Sequence, residues 1–142
     1  MSLTQQEFNY LLKIEKRFTD NDMIYLDTKW SREIISTQSR DIFILDYYKG
    51  TYRIEKYTYN KRYRKNIVLL RYDSFGRHTN PDNTVVEGPH LHIYREGYDD
   101  KFAVSPEEIG VDSRAFGRDR VLRVLLEYFN VKGCPQIHLA IF

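Results

Sequence analysis

A chain of 142 residues is the length of one domain and can bury about two-thirds of its unfolded surface, so residues 1–142 are read as a single unit. Hydrophobic content of 42% with both charge signs interspersed excludes wholesale disorder, no apolar run approaches the roughly 20 residues that span a bilayer, and a lone Cys134 excludes an internal disulfide or a cysteine-based zinc cluster. The N-terminal MSLTQQEFNY lacks the basic-then-apolar order of a signal peptide, so the expectation is a cytoplasmic protein without membrane contact.

Thr4-Gln5-Gln6-Glu7 has the form of a capping box, and Phe8, Leu11, Leu12 and Phe18 recur at helical spacing, which predicts an amphipathic helix over residues 5–18. TDND marks a loop, and Met23–Trp30 reads as a strand or irregular chain. From Asp41 the pattern changes to strand, tight turn and strand: DIFILDYY, KGT with Gly50 where positive φ is cheap, then YRIEKYTY. NKRYRK supplies a polar turn, and NIVLLRYD is the most apolar strand. Ser74–Pro89 reads as a long loop rich in Gly, Asn, Asp and Pro, functional or mobile. HLHIYRE follows as a strand, EGYDD as a turn and KFAVS as a short strand.

Ser105-Pro106-Glu107-Glu108 has the form of a helix start, and Val121, Leu122, Leu125 and Phe129 form an apolar stripe over 119–130, closed by Asn130 or Gly133. QIHLAIF alternates like a last strand. The expected fold class is therefore α+β: an antiparallel meander of about five to six strands, with an N-terminal and a C-terminal helix packed on one face.

The net charge of +2 conceals an asymmetry, because Lys49–Arg77 carries +7 and the remainder −5. Seven of the twelve tyrosines (Tyr47, Tyr48, Tyr52, Tyr57, Tyr59, Tyr63 and Tyr72) lie in or beside that segment. Basic side chains interleaved with flat aromatics suit a polyanion whose bases can stack, which makes RNA or another nucleic acid the expected partner and Tyr57, Tyr59, Arg62 and Arg64 the expected contacts. Tyrosine is also a good strand former and basic residues protect exposed strands, so the same pattern has a plain structural reading.

Strand alternation sends His90, His92 and Tyr94 to one face and Leu91 and Ile93 to the other. Laying Leu91 and Ile93 over Val68 and Leu70 gathers Arg71, Asp73, His90, His92 and Tyr94 together and leaves Ile67 and Leu69 on the polar side, where something must cover them. Three uses of such a cluster compete. His90 and His92 can ligate a metal, with His78 or Asp73 completing the set. Without a metal or other cofactor, the two histidines can perform acid–base cleavage of RNA while Arg71 stabilises phosphate charge and Asp73 orients an imidazole. Histidine and tyrosine on a half-exposed strand also simply satisfy one another. Ser74 and Ser105 have no assigned base, Cys134 has nothing to activate it, and FGRHTNPDNT lacks the pattern of a phosphate-cradling loop.

LLRYD (69–73), RHTNPDN (77–83), GPHLHIYREGYDDKFA (88–103) and LLEYFN (125–130) together resemble a family of small uncharacterised proteins of Gram-positive bacteria and their phages, with a motif of the form R-x-D…H-T-N-P-D-G…H-x-H-x-Y-R-E-G. Asn83 stands where that motif carries glycine, so the turn there is expected to be strained or differently shaped. More distantly, an R-x-D strand end, a loop and a P-H-x-H strand are similar to the toxin half of TumE-type toxin–antitoxin pairs. That similarity implies a site of His90, His92, Arg71 and Asp73 and a cognate antitoxin or host protein as a further partner. The leading expectation is a nucleic-acid-acting accessory protein, a metal-independent ribonuclease of the toxin kind. The alternatives are a non-enzymatic binding module for nucleic acid or protein, of phage or mobile-element origin, and a metal-dependent enzyme built on the His-x-His pair.

Overall fold

The computed structural model describes residues 3–59 and 64–138, with the side chains of residues 58, 59, 64 and 65 outside that description. Helix α1 (Gln5–Lys13) leads into β1 (Lys16–Phe18), β2 (Ile24–Tyr25), β3 (Trp30–Ser36), β4 (Ile42–Tyr48), β5 (Thr51–Tyr59) and β6 (Arg64–Asp73). A small hairpin of β7 (Arg77–Thr79) and β8 (Val85–Glu87) comes next, then β9 (His90–Ile93), β10 (Ala103–Val104) and a 3-10 turn (Pro106–Ile109). Helix α2 (Arg118–Tyr128), β11 (Val131–Lys132) and β12 (Ile137–His138) complete the order. Eight strands form the main sheet in the order β10-β9-β6-β5-β4-β3-β1-β11. Its pairs are antiparallel except β1 beside β11. β2 and β12 form a separate parallel pair.

The expected α+β class holds, and the sheet is wider than the five to six strands expected. The added width comes from β1, β3 and β11, while Ile137–His138 of the expected last strand pair with β2 outside this sheet. Thr4 caps α1 as its capping box requires, accepting from the Glu7 N–H while Glu7 accepts from the Thr4 N–H. The helix then stops at Lys13 rather than continuing to Phe18, because Ile14 turns extended and residues 16–18 find backbone partners on β3 and β11. In β3 the inward positions include Ser36 beside Ile34, so polarity hides the alternation. The expected Ser105 helix start is only the 3-10 turn, and Ser105 makes no side-chain cap there.

One side of the sheet carries the core. Phe43, Leu45, Tyr47, Tyr52, Ile54, Leu70, Tyr72 and Leu91 join Phe8 and Leu11 of α1 and Val121, Leu122, Leu125 and Leu126 of α2 in one buried cluster. Phe43 meets Phe129 edge to face at 5.2 Å, and Phe8 stacks on Tyr94 at 5.5 Å. Burying each such side chain contributes about 1.5–3 kcal/mol. Three of the tyrosines grouped by sequence, Tyr47, Tyr52 and Tyr72, belong to this core. The Tyr47 hydroxyl donates to the Leu26 carbonyl and the Tyr52 hydroxyl to that of Arg118, so both polar tips are satisfied indoors. No described helix is long and apolar enough to cross a membrane.

Lys16 is the unexpected member of the interior, fully buried between the end of α1 and the end of α2. Its ammonium donates to the carbonyls of Leu12, Ile14 and Phe129 and lies 3.8 Å from the centre of the Phe129 ring. Helix C-termini and an aromatic face favour a cation. Burial opposes it and pushes the Lys16 pKa down to about 7, with Asp41 offsetting part of that fall.

Candidate active site

Strands β6 and β9 pair with Arg71 opposite His92 and Asp73 opposite His90, which gathers these four residues on the outer face of the sheet. The register differs from the expected one by two residues, with Ile93 opposite Leu70 and Leu91 opposite Tyr72. A two-residue shift preserves the faces, so the cluster survives it. The β5–β6 register slips between Ile54 and Glu55, where β6 carries the extra residue Leu69. This bulge lies beyond the cluster and turns Ile67 to the core side opposite Lys56, removing the exposed apolar pair that the simple alternation implied. Tyr94 is corrected, because β9 ends at Ile93 and the Tyr94 ring enters the core, its hydroxyl bonded at 2.6 Å to both the Leu3 N–H and the Leu3 carbonyl.

The segment expected as a sixteen-residue loop supplies the β7–β8 hairpin, which lies against the sheet edge. Asn80 fixes it there: its amide nitrogen donates to the Ala103 carbonyl at 2.9 Å and its oxygen accepts from the Ala103 N–H at 2.8 Å. The side chain thus extends the ladder beyond edge strand β10. Asn83 adopts φ +70°, the left-handed conformation that glycine enters most easily and asparagine tolerates, which explains how this turn forms without the motif's glycine. Asn80→Ala is expected to cost about 2–3 kcal/mol of unfolding free energy, because the buried Ala103 backbone groups lose both partners. Denaturant melts of the two proteins measure it.

Docked in this way, the hairpin adds His78 to the cluster. The His78 Nε2 donates to the Lys101 carbonyl at 2.7 Å, and its ring lies 4.5 Å from His92 edge to face and 5.8 Å from His90 in a stack. His92 is only 1% exposed. Its Nδ1–H donates to the Asp100 carbonyl at 2.7 Å, and its Nε2 accepts a hydrogen bond from the Arg71 guanidinium at 3.0 Å. Burial first, and then the Arg71 charge, push its pKa down to about 4, so at neutral pH it is an uncharged acceptor.

His90 is held differently. Its Nδ1 faces the Gly88 carbonyl at 2.9 Å, and its Nε2 faces Asp73 Oδ2 at 3.3 Å. The other Asp73 oxygen accepts from the Thr51 hydroxyl at 2.9 Å, which fixes the carboxylate plane. Arg71 completes the network through Asp73 at 3.2 Å and Asp100 at 3.5 Å.

One ligand atom from each of Asp73, His90 and His92 lies within 4.8 Å of the others, and both imidazole Nδ1 atoms are fixed by carbonyls in the manner of metal-ligating histidines. Arg71 donates to two members of that set, Asp73 and His92, so a guanidinium already supplies the positive charge at this point.

Those of the expected nucleic-acid contacts that are described stand apart from the cluster. Half-buried Tyr57 lies six residues from Thr51 along β5, about 20 Å away. Tyr59 and Arg64 pair at the far end of β5 and β6 with side chains outside the described residues, and Arg62 lies outside them altogether. Within the basic segment Arg53 is paired with Asp46 and Glu55, Lys56 with Asp41, and Arg77 with Glu87. Among the described side chains, four of the five basic residues of this segment, Arg53, Lys56, Arg71 and Arg77, therefore have acidic neighbours in space.

Fold and cluster together define an α+β protein with a histidine–aspartate–arginine network at one sheet edge. The chain belongs to DUF6978, a family of unknown function, whose model matches residues 3–131. This agrees with a resemblance to an uncharacterised family. No curated protein and no solved structure matches it.

Proposed function

We propose that this protein acts on nucleic acid, as a metal-independent ribonuclease of the toxin kind. The observation that carries the reading is the Arg71 guanidinium bridging Asp73 and His92, which supplies the phosphate-stabilising cation from the chain itself. In the proposed reaction His78 Nδ1 takes the proton from a 2′-hydroxyl, its ring held by the Lys101 carbonyl on the opposite nitrogen. The 2′-oxygen attacks phosphorus while the bond to the 5′-oxygen breaks, and the His90 Nε2 proton passes to that leaving oxygen. The products are a 2′,3′-cyclic phosphate and a 5′-hydroxyl. The Gly88 carbonyl on Nδ1 orients His90, Asp73 lies beside the Nε2 that gives up the proton, and His92, buried and neutral, holds Arg71. The acid–base role expected for His92 thus passes in this proposal to His78, which is half-buried where His92 is enclosed. The similarity to TumE-type toxins supports His90, His92, Arg71 and Asp73 as site residues and says nothing of His78.

The test is analysis of the ends produced from a mixed-sequence RNA by the wild type, His90→Ala and His78→Ala. Cyclic phosphate ends made by the wild type, and lost at least a hundredfold in both variants, are expected for acid–base work of this size. Equal cleavage of the all-deoxy strand overturns the proposal.

A further inference from the structure

We propose that Phe75 is a stacking platform for an unpaired base of the RNA strand, which makes the site selective for single-stranded substrate; this rests on the ribonuclease reading above. Phe75 follows Asp73 by two residues and is 72% exposed, the most exposed of the described large hydrophobic side chains. It does not sit on a loose tip. The Ser74 N–H donates to the Gly50 carbonyl at 3.1 Å, and the Gly76 carbonyl accepts from the Gly88 N–H at 2.7 Å, so both neighbours of Phe75 are tied down. A Cβ on Gly76 would lie 3.8 Å from His90 Cε1, which places this turn against the acid of the proposed reaction.

A second exposed aromatic flanks the same end of the sheet. Tyr48 is 56% exposed and shares a cross-strand row with Thr51, Asp73 and His90. Neighbouring strands are about 4.8 Å apart, so Tyr48 is roughly 10 Å from Asp73. Lys49, in the turn beside it, is exposed and makes no ion pair with a described residue. Phe75 and Tyr48 thus both lie at this end of the sheet near Asp73, with exposed Lys49 next to Tyr48, which matches a short single strand that offers base faces and phosphates together. A duplex keeps its base faces stacked and cannot use the ring of Phe75.

The measurement is binding of a mixed-sequence 2′-O-methyl RNA, which lacks the attacking hydroxyl, as a single strand and annealed to its complement. Wild type, Phe75→Ala and Phe75→Trp are compared. Phe75→Ala is expected to weaken single-strand binding roughly tenfold, with Phe75→Trp restoring it and duplex binding equal in all three. Phe75 is exposed, so the alanine variant folds, and a thermal melt verifies it. Unchanged single-strand affinity in Phe75→Ala overturns the inference while leaving RNA cleavage by the wild type intact. Absence of both cleavage and RNA binding by the wild type overturns the ribonuclease reading itself.

Discussion

Under the proposed reaction, Arg71→Ala is expected to lower RNA cleavage by about two to three orders of magnitude, the usual loss when one preorganised charge-stabilising group is removed. Arg71 contacts Asp73, His92 and Asp100 from one planar group. A compact ammonium lacks the planar spread of nitrogens that reaches Asp73, His92 and Asp100 at once, so Arg71→Lys is expected to recover little activity. Removing the guanidinium also leaves the Asp73 and Asp100 carboxylates without their shared cation and His92 Nε2 without its donor, at a cost of about 1–3 kcal/mol of stability. The two effects separate kinetically. Loss of kcat in a variant still folded at the assay temperature belongs to the chemistry, whereas a fall that follows the melting curve belongs to the network. Unchanged cleavage in folded Arg71→Ala removes Arg71 from the site.

The second large effect concerns Lys16 and pH. Its pKa falls from 10.5 in the unfolded chain to about 7 in the folded one. Between those values the unfolded state binds more protons, so the Lys16 contribution to stability rises as pH climbs from 7 toward 10.5. Below pH 7 the buried ammonium is charged in both states, and its burial cost is borne in full. Lys16→Met has no such titration. The stability of the wild type relative to Lys16→Met is therefore expected to improve by about 3 kcal/mol over that window. Paired denaturant melts at pH 7 and pH 10 measure the difference, in which the other titrating groups cancel. Parallel pH curves for the two proteins show that the three carbonyls and the Phe129 ring outweigh the burial.

The cluster was legible because strand alternation survives even shifts of register. His90 and His92 share a face with Arg71 and Asp73 whether Leu91 lies opposite Leu70 or Tyr72. Asp100 and Thr51 were not legible as partners, since one approaches from a turn and the other from the next strand over. His78 carried a usable signal in being the third histidine of the quoted motifs, yet its place depends on Asn80 docking the hairpin to β10. Charge and aromatic density along the chain did not show which of these side chains are exposed, for a physical reason. A strand buries every second residue, so Tyr47, Tyr52 and Tyr72 went to the core and the arginines between them met carboxylates on the outer face. Lys16 fell within the helix expected over residues 5–18, and only the meeting of two helix ends gives its ammonium three acceptors.

The most direct test of the central claim is cleavage of a mixed-sequence RNA by the purified protein in EDTA, beside Arg71→Ala under the same conditions. A cluster whose working cation is Arg71 cleaves at the full wild-type rate in EDTA, and Arg71→Ala does not. Cleavage that disappears in EDTA and returns with added zinc or manganese contradicts the account and assigns Asp73, His90 and His92 to a metal, and no cleavage under either condition contradicts it as well.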